Sequence, residues 1–520
     1  MSADVITPAR PRSQQEPDRF SRLLLSEWTK YRTVRGWVAG ILLAGLLVVA
    51  INLLPAGECG LMNGGPGVTS IGCTLTIGPG GEAVTDSFNF VHQQLAGNGS
   101  ITAQVTSLTP TPAQGVTATL QDWAKAGIII KTDTNQGSPY AAMMVTGGHG
   151  VRMQSNFTQD TAGLSGPASA ASPRWLRLTR TGDTIIGYDS ADGANWIKVG
   201  TVTLAGLPST VPVGLFASSS PTSTVASQSA SSSSGNTIPT LVTATFGHFA
   251  LQGSSSSSGW TDTNVGIQSG TNLTDGTYRQ VGQGFTVSGS GDIAPSVPGG
   301  TGGSGSISTT LTGTFAALIA MIVVGTMFMT SEYRRGLIRL TLSASPRRGR
   351  MLAAKAIVLG AVTFVVGLIA AFIAVKTGVS LKSANGVAFY PVPTMTEVRL
   401  IVGTAAVLAV TSILAMALGA VLRRSAATIT AVIALIVLPY FFANPLAVLP
   451  AGAAEWLLRV TPAAALAVQQ GYPRYSQLAA NYTPAGGYYP LSPWEGFAVL
   501  CAWTVLALGL AAYLLRRRDA

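Results

Sequence analysis

Six runs of apolar residues punctuate the chain, near 37–54, 311–329, 352–375, 400–422, 426–443 and 497–515. Each approaches or exceeds the roughly 18–20 residues that carry a helix across a bilayer. Between the first run and the second the pattern changes. Short segments rich in Val, Ile, Thr and aromatics recur near 100–108, 127–131, 140–146, 150–157, 175–180, 184–189, 195–200, 211–217 and 241–251. Turn residues such as Thr181-Gly182-Asp183 and Asp192-Gly193 separate them. Many short strands with no helix between them predict a sandwich or barrel. The pattern thus predicts a mixed membrane protein: a six-helix α transmembrane bundle with an inserted all-β sandwich. Its divisions are an amphipathic N-terminal segment (1–35), the first span (36–55), the β domain (56–287), a Gly/Ser linker (288–310) and the remaining five spans (311–520). A basic loop at 331–351 and a further region at 446–493 lie within the last part.

Composition agrees with that mixture. Of 520 residues, 47% are hydrophobic, only 10% are charged and 60 are glycine, with a mean hydropathy of +0.39. The net charge of +11 raises the question of nucleic acid. Its placement answers it. Basic residues cluster before the first span (Arg10 to Arg35), between spans two and three (Arg334 to Arg350), between four and five (Arg423, Arg424) and after six (Arg516 to Arg518). The other loops after span two hold only Lys376, Lys382, Arg399, Arg459 and Arg474. Alternation of this kind is a topology signal. It predicts a multi-pass plasma-membrane protein with both termini cytoplasmic and 56–310 outside, and no nucleic-acid partner. The first span reads as an uncleaved helix, because no A-x-A site follows it.

Several chemistries are then disfavoured. No Asp, Glu, Lys, Arg or His occupies the middle of a span, which argues against ion-coupled transport. Lys355, Arg399 and Glu495 lie near span ends and read as snorkelling residues. No Gly-Lys dipeptide occurs, so there is no Walker-type phosphate loop and any energy source belongs to another polypeptide. His92, His149 and His248 lack metal-ligand spacing, and no metal site is expected. No carboxylate pair reads as a glycosidase dyad, and the chain is not expected to be an enzyme. Cys59 and Cys73 flank a Gly-rich stretch, where an oxidising compartment permits a disulfide contributing about 2–4 kcal/mol, or two free thiols. Cys501, inside the last span, reads as a packing residue. Trp123, Trp175 and Trp196 are either core residues or a platform for sugar rings. Asp192 reads as a turn stabiliser. The stretch SEYRRGLIRLTLSASPRRGRMLAAKA (331–356) is the most distinctive. As a helix over 332–342 it places Arg335 and Arg339 one turn apart, and Pro346 ends it. Such a loop either docks on a cytosolic partner or only fixes orientation and binds anionic lipid.

That stretch resembles the first cytoplasmic loop of ABC-2-type transporter permeases, with its E-Y-R-x-G-x-I-R pattern, basic return and entering lysine. FSRLLLSEWTKYRTVRGWV (20–38) resembles the amphipathic elbow of the same family, with Leu23, Leu24 and Trp28 at the interface and Lys30, Arg32 and Arg35 facing headgroups. The resemblance implies a permease subunit, expected to export. It implies a cytosolic ABC ATPase carrying ATP and Mg, and a second permease copy, identical or related, in the lipid bilayer. It places the ATPase-coupling contact at Glu332, Tyr333, Arg334, Gly336, Ile338 and Arg339, with Arg347 and Arg348 beside them. Short helices near 455–460 and 463–470 are expected to re-enter the outer leaflet. The large β domain departs from that family. WAKAGIIIKTD, RWLRLTRTGDTIIGYDSADGANWIKVG and VPVGLFASS resemble concanavalin/laminin-G-like jelly rolls of the DUF1349 type. That resemblance implies a cell-surface glycan as a candidate ligand. The alternative function is a multi-span surface receptor or adhesin whose jelly roll binds carbohydrate.

Overall fold

The computed structural model describes residues 20–53, 75–112, 119–225, 235–238, 240–255, 259–267, 274–282, 284–297, 306–334, 348–384, 389–443, 451–478, 484 and 487–517. Cys59, Cys73, Gly336, Ile338, Arg339 and Arg347 lie outside them.

The helices are α1 (Phe20–Thr33), α2 (Arg35–Asn52), α3 (Thr314–Arg334), α4 (Arg348–Ala384), α5 (Thr394–Leu422), α6 (Ser425–Phe442), α7 (Ala451–Val460) and α8 (Pro493–Arg517). Six of them, α2 to α6 and α8, are long and apolar enough to cross a membrane. At about 1.5 Å per residue, α4 is about 55 Å long and exceeds a hydrocarbon core of about 30 Å. Lipid offers helices no hydrophobic drive to associate, so close backbone approach and polar clips hold the bundle. At Gly325 a Cβ would lie 2.3 Å from the Ser412 carbonyl oxygen, so α3 and α5 meet backbone to backbone. Asn52 Nδ2 donates to the Ala374 carbonyl at 2.7 Å and ties α2 to α4. Gln469 Nε2 donates to Thr314 Oγ1 and Thr404 Oγ1, both at 3.1 Å, joining the 3-10 segment Pro462–Gln469 to α3 and α5. Arg423 caps α5 in the left-handed region (φ +56°), which turns the chain into α6 within two residues.

The β domain is antiparallel throughout its main sheet, and one strand organises it. β3 (Phe88–Thr111) runs through both layers. Its first half pairs β11 (Thr210–Ser218) and β15 (Thr261–Val265). Its second half pairs β8 (Arg174–Thr181) and β14 (Leu241–Ser255). Gly97, at φ +68°, lies between the halves. β11 continues to β4 (Lys125–Lys131), β5 (Tyr140–Thr146), β6 (Val151–Ser155) and β7 (Gln159–Ala162), and β8 to β9 (Thr184–Ser190) and β10 (Ile197–Thr203). The layers enclose a core that includes Val91, Ile128, Ile130, Met143, Leu176, Leu178 and Leu215.

β4 is buried on both faces. Its other side meets a second core of Phe88, Phe90, Tyr140, Phe157 and Phe216, capped by β2 (Ala83–Asp86) and β18 (Ile293–Pro295). Two lysines of β4 therefore point into the protein. Lys125 Nζ lies 2.7 Å from Asp292 Oδ1, and Lys131 Nζ lies 2.8 Å from Asp86 Oδ2, with essentially no exposure. The cap also seats the β domain on the membrane part. Ala83, Ala294 and Val297 pack with Tyr390, Tyr472 and Leu478. Gln477 Nε2 donates to the carbonyls of Phe157 and Thr158 at 3.1 and 3.2 Å.

Removing one partner of a buried pair leaves the other charge stranded. Lys131→Met is expected to cost about 3–5 kcal/mol. Adding Asp86→Leu to it is expected to restore most of the loss. Thermal unfolding of the purified chain followed by circular dichroism reads both; equal melting of Lys131→Met and the wild type contradicts the pairing.

Candidate functional site

The amphipathic α1 turns one face inward. Leu24, Glu27 and Tyr31, spaced by three and four residues, meet the bundle, while Leu25, Trp28 and Arg32 are exposed. Tyr31 packs edge-on to Phe328 of α3 at 6.3 Å, and Trp37 of α2 packs edge-on to the same Phe328 at 4.9 Å. Beside these rings is a cluster of four charges. Lys355 Nζ lies 2.7 Å from Glu27 Oε2 and 2.7 Å from Glu332 Oε1. Lys30 Nζ lies 2.9 Å from Glu27 Oε1 and 3.7 Å from Glu332 Oε1. Lys355 also stands 4.9 Å from the Phe328 ring centroid. The side chains of Lys355, Glu27 and Glu332 are 1%, 2% and 7% exposed; that of Lys30 is 41% exposed.

This corrects the expectation for Lys355. It does not snorkel to the surface, because two carboxylates meet it inside the bundle. Glu332 turns inward to Lys355. Two lysines and two glutamates balance, and a balanced, hydrogen-bonded group is the condition under which charges tolerate burial. The cluster joins α1 to the last turn of α3 and the start of α4, more than 300 residues further along the chain. It stands where the chain leaves α3 for 335–347.

The other predicted loop positions are spread around it. Tyr333 is half-buried, with the Arg423 guanidinium 5.1 Å from its ring centroid. Arg334 is exposed. Arg348 donates through Nη1 to the Leu515 carbonyl and so joins α4 to α8. Glu27 and Lys355 escaped the sequence reading. Their signal was spacing: Glu27 is three residues after Leu24 and four before Tyr31, on the apolar side of α1.

In the β domain, Trp123 is buried and stacks on His149 at 4.1 Å. Trp175 and Arg177 lie on the outward-alternating side of β8. His248 stacks with Trp175 at 5.5 Å, and the Arg177 guanidinium lies 3.8 Å from the Trp196 ring centroid. The turn between β9 and β10 is held by Asp192. Its carboxylate accepts from the backbone N–H groups of Asn195 and Ala194 at 2.8 and 2.9 Å, and from Asn195 Nδ2 at 2.7 Å. Those donors hold the carboxyl well below its usual range. Cys501 is a half-buried free thiol in α8. Among the described residues, no group of three or more His, Cys, Asp or Glu is placed to hold a metal ion.

The cluster makes the docking of α1 pH-dependent. Burial opposes ionisation of Glu27, but the charge and hydrogen bond of Lys355 and the hydrogen bond of Lys30 hold its carboxyl below the ordinary 4.5. Burial also opposes the charge on Lys30, but Glu27 and Glu332 raise its ammonium above the ordinary 10.5. A lowered carboxyl stabilises the fold above its unfolded value and loses that contribution as pH falls through the folded one. A raised ammonium stabilises below 10.5 and loses it as pH climbs through the folded value. Backbone hydrogen exchange of α1 is therefore expected to show constant protection between about pH 5 and 10 after correction for intrinsic rates, with loss on either side. Lys355→Met, which strands two carboxylates, is expected to cost α1 protection throughout by about 3–5 kcal/mol. Unchanged protection contradicts the cluster.

The family described as ABC-2 family transporter protein matches residues 124–520, more than half of the chain. No curated protein matches. Among solved structures, the chain is similar to a functionally unknown protein from Saccharomyces cerevisiae at 15% identity, covering 32% of this chain and 76% of that one, with a TM-score of 0.21. It is similar to scytalido-glutamic peptidase with a transition state analog inhibitor at 12% identity, covering 39% and 98%, with a TM-score of 0.25. It is similar to the GH43 protein BlXynB mutant from Bacillus licheniformis at 18% identity, covering 23% and 24%, with a TM-score of 0.17. Scores this low carry no argument about structure or function. The family match, with six membrane-length helices beneath a β sandwich, shows that the chain belongs to the ABC-2 family of transporter proteins.

Proposed function

We propose that this permease exports its cargo with the basic ends of α3, α4, α5 and α8 in the cytoplasm and the β domain outside. A cytosolic ATPase binds the 335–347 loop, with Arg334 and Arg348 at its rim. Two permease chains, identical or related, work with two ATPases. The observation that carries the reading is the Lys355 bridge between Glu27 and Glu332. It locks α1, α3 and α4 together at the point where the loop departs. A push on the loop then moves three segments as one body and reaches the spans without dissipating in a flexible hinge. Glu332 and Lys355 thus position the loop and do not themselves meet the partner.

The β domain's part in the reading is to hold a glycan over the exit. Trp175 and Trp196, with His248 and Arg177 beside them, form the half-buried aromatic surface that suits a sugar ring. Trp123 is too deeply buried for that role.

A pull-down of tagged protein in mild detergent, followed by mass spectrometry, tests the coupling. An ATPase is expected with the wild type and is expected to be lost with Arg334→Glu/Arg339→Glu. No ATPase in either sample, together with glycan retention abolished by Trp175→Ala, favours a receptor or adhesin. If the export reading holds, Trp175→Ala is expected to weaken glycan retention roughly fivefold, in line with stacking of about 1 kcal/mol, without altering ATPase recovery.

A further inference from the structure

An apolar groove of about 540 Å³ opens toward the membrane between α4, α5 and α8. Gly360, Ala361, Ala406 and Ala409 keep it open, and Ile357 and Val505 form exposed walls. Its one hydroxyl, Thr504 Oγ1, donates to the Leu500 carbonyl of its own helix at 2.8 Å. The lining therefore asks for no hydrogen bond from an occupant.

What lies below the groove names its occupant. All three helices end in arginine at the same end of the bundle: Arg350 in the first turn of α4, Arg424 after α5 and Arg516 in the last turn of α8. Arg350 precedes Ile357 by seven residues, and Arg516 follows Val505 by eleven. At 3.6 residues per turn both intervals are close to whole turns, so both arginines lie on the groove's own side of their helices. A Cβ built on Gly349 would stand 4.0 Å from Arg516 Nη2, so this guanidinium reaches across to α4. The arginines are exposed, and among the described residues no carboxylate forms an ion pair with them. The two-turn interval is about 10 Å, the step from a phosphate at the interface to the upper part of an acyl chain.

We propose that this groove is a binding site for one anionic phospholipid, with an acyl chain between α4, α5 and α8 and the phosphate held by Arg350 and Arg516. The site is independent of cargo and of transport direction. It bridges the start of α4 and the end of α8, so an occupant braces two helices that otherwise meet at this end through the Arg348–Leu515 hydrogen bond.

Native mass spectrometry of the full-length protein, delipidated in detergent and titrated with dioleoylphosphatidylglycerol or dioleoylphosphatidylcholine, tests the site. One phosphatidylglycerol per chain is expected to be retained, preferred over phosphatidylcholine by roughly thirtyfold if each of two arginines contributes as juxtamembrane basic residues do. Arg350→Gln/Arg516→Gln is expected to abolish the preference while leaving phosphatidylcholine retention unchanged. Val505→Trp fills the groove from an exposed wall and is expected to reduce retention of both lipids, with an unchanged circular-dichroism melt. Equal retention of the two lipids by the wild type overturns the proposal. So does undiminished retention by Val505→Trp, and so does full displacement by inorganic phosphate, which would make it a phosphate site without a chain. Loss of a dimer in Val505→Trp with lipid unaffected would assign the groove to a second copy instead.

Discussion

An ammonium inside a helix bundle persists as a charge only if carboxylates accompany it, and the organisation of the basic end follows from that constraint. Lys355 is the buried ammonium. Glu27 reaches it from α1, 328 residues away in the chain, and Glu332 from the end of the preceding helix, α3. Because both must be present, α1 cannot drift along the membrane surface as an isolated amphipathic helix would. It is drawn against α3 and α4, with Tyr31 on Phe328. The junction of α1, α3 and α4 is thereby held by ion pairs as well as by ring packing.

The same rule recurs in the β domain at a different scale. β4 has no solvent-facing side, so its lysines are matched by Asp86 and Asp292. Those aspartates belong to the strands and loops of the cap, and the cap carries Ala83 and Ala294 onto the tyrosines of the membrane part. Paired burial thus links the interior of the sandwich to its seat on the bundle. The seat also lines a cleft of about 740 Å³ with Glu82, Tyr390, Arg399 and Tyr472. The β domain is therefore built onto the connecting segments that carry Tyr390, Tyr472 and Gln477 and is more than a tethered appendage.

Much of this was legible in the chain. The spans could be read because a bilayer demands long apolar runs and admits few charges. The strands could be read because β4, β5, β8, β9 and β11 keep short apolar or alternating patterns bounded by turn residues. Asp192 could be read because its hydrogen bonds are local, within three residues. Lys355 was misread for the opposite reason. Its partners are 328 and 23 residues away, and hydropathy alone gives a lysine near a span end the look of a snorkelling residue. Trp123, Trp175 and Trp196 looked equivalent as letters; only the neighbouring His149, His248 and Arg177 separate a packed ring from a half-open one.

By itself the sequence determined whatever depends on periodicity and local chemistry: the number of spans, the strand-rich insertion and the turns. Those properties are set by nearest neighbours and by the solvent each residue must satisfy. The tertiary structure alone decided which charges meet. It turned Glu332 inward, paired both lysines of β4, and set three helices so that small residues leave an apolar groove above arginines. Such encounters depend on the relative placement of elements far apart in the chain, where pattern carries no distance information.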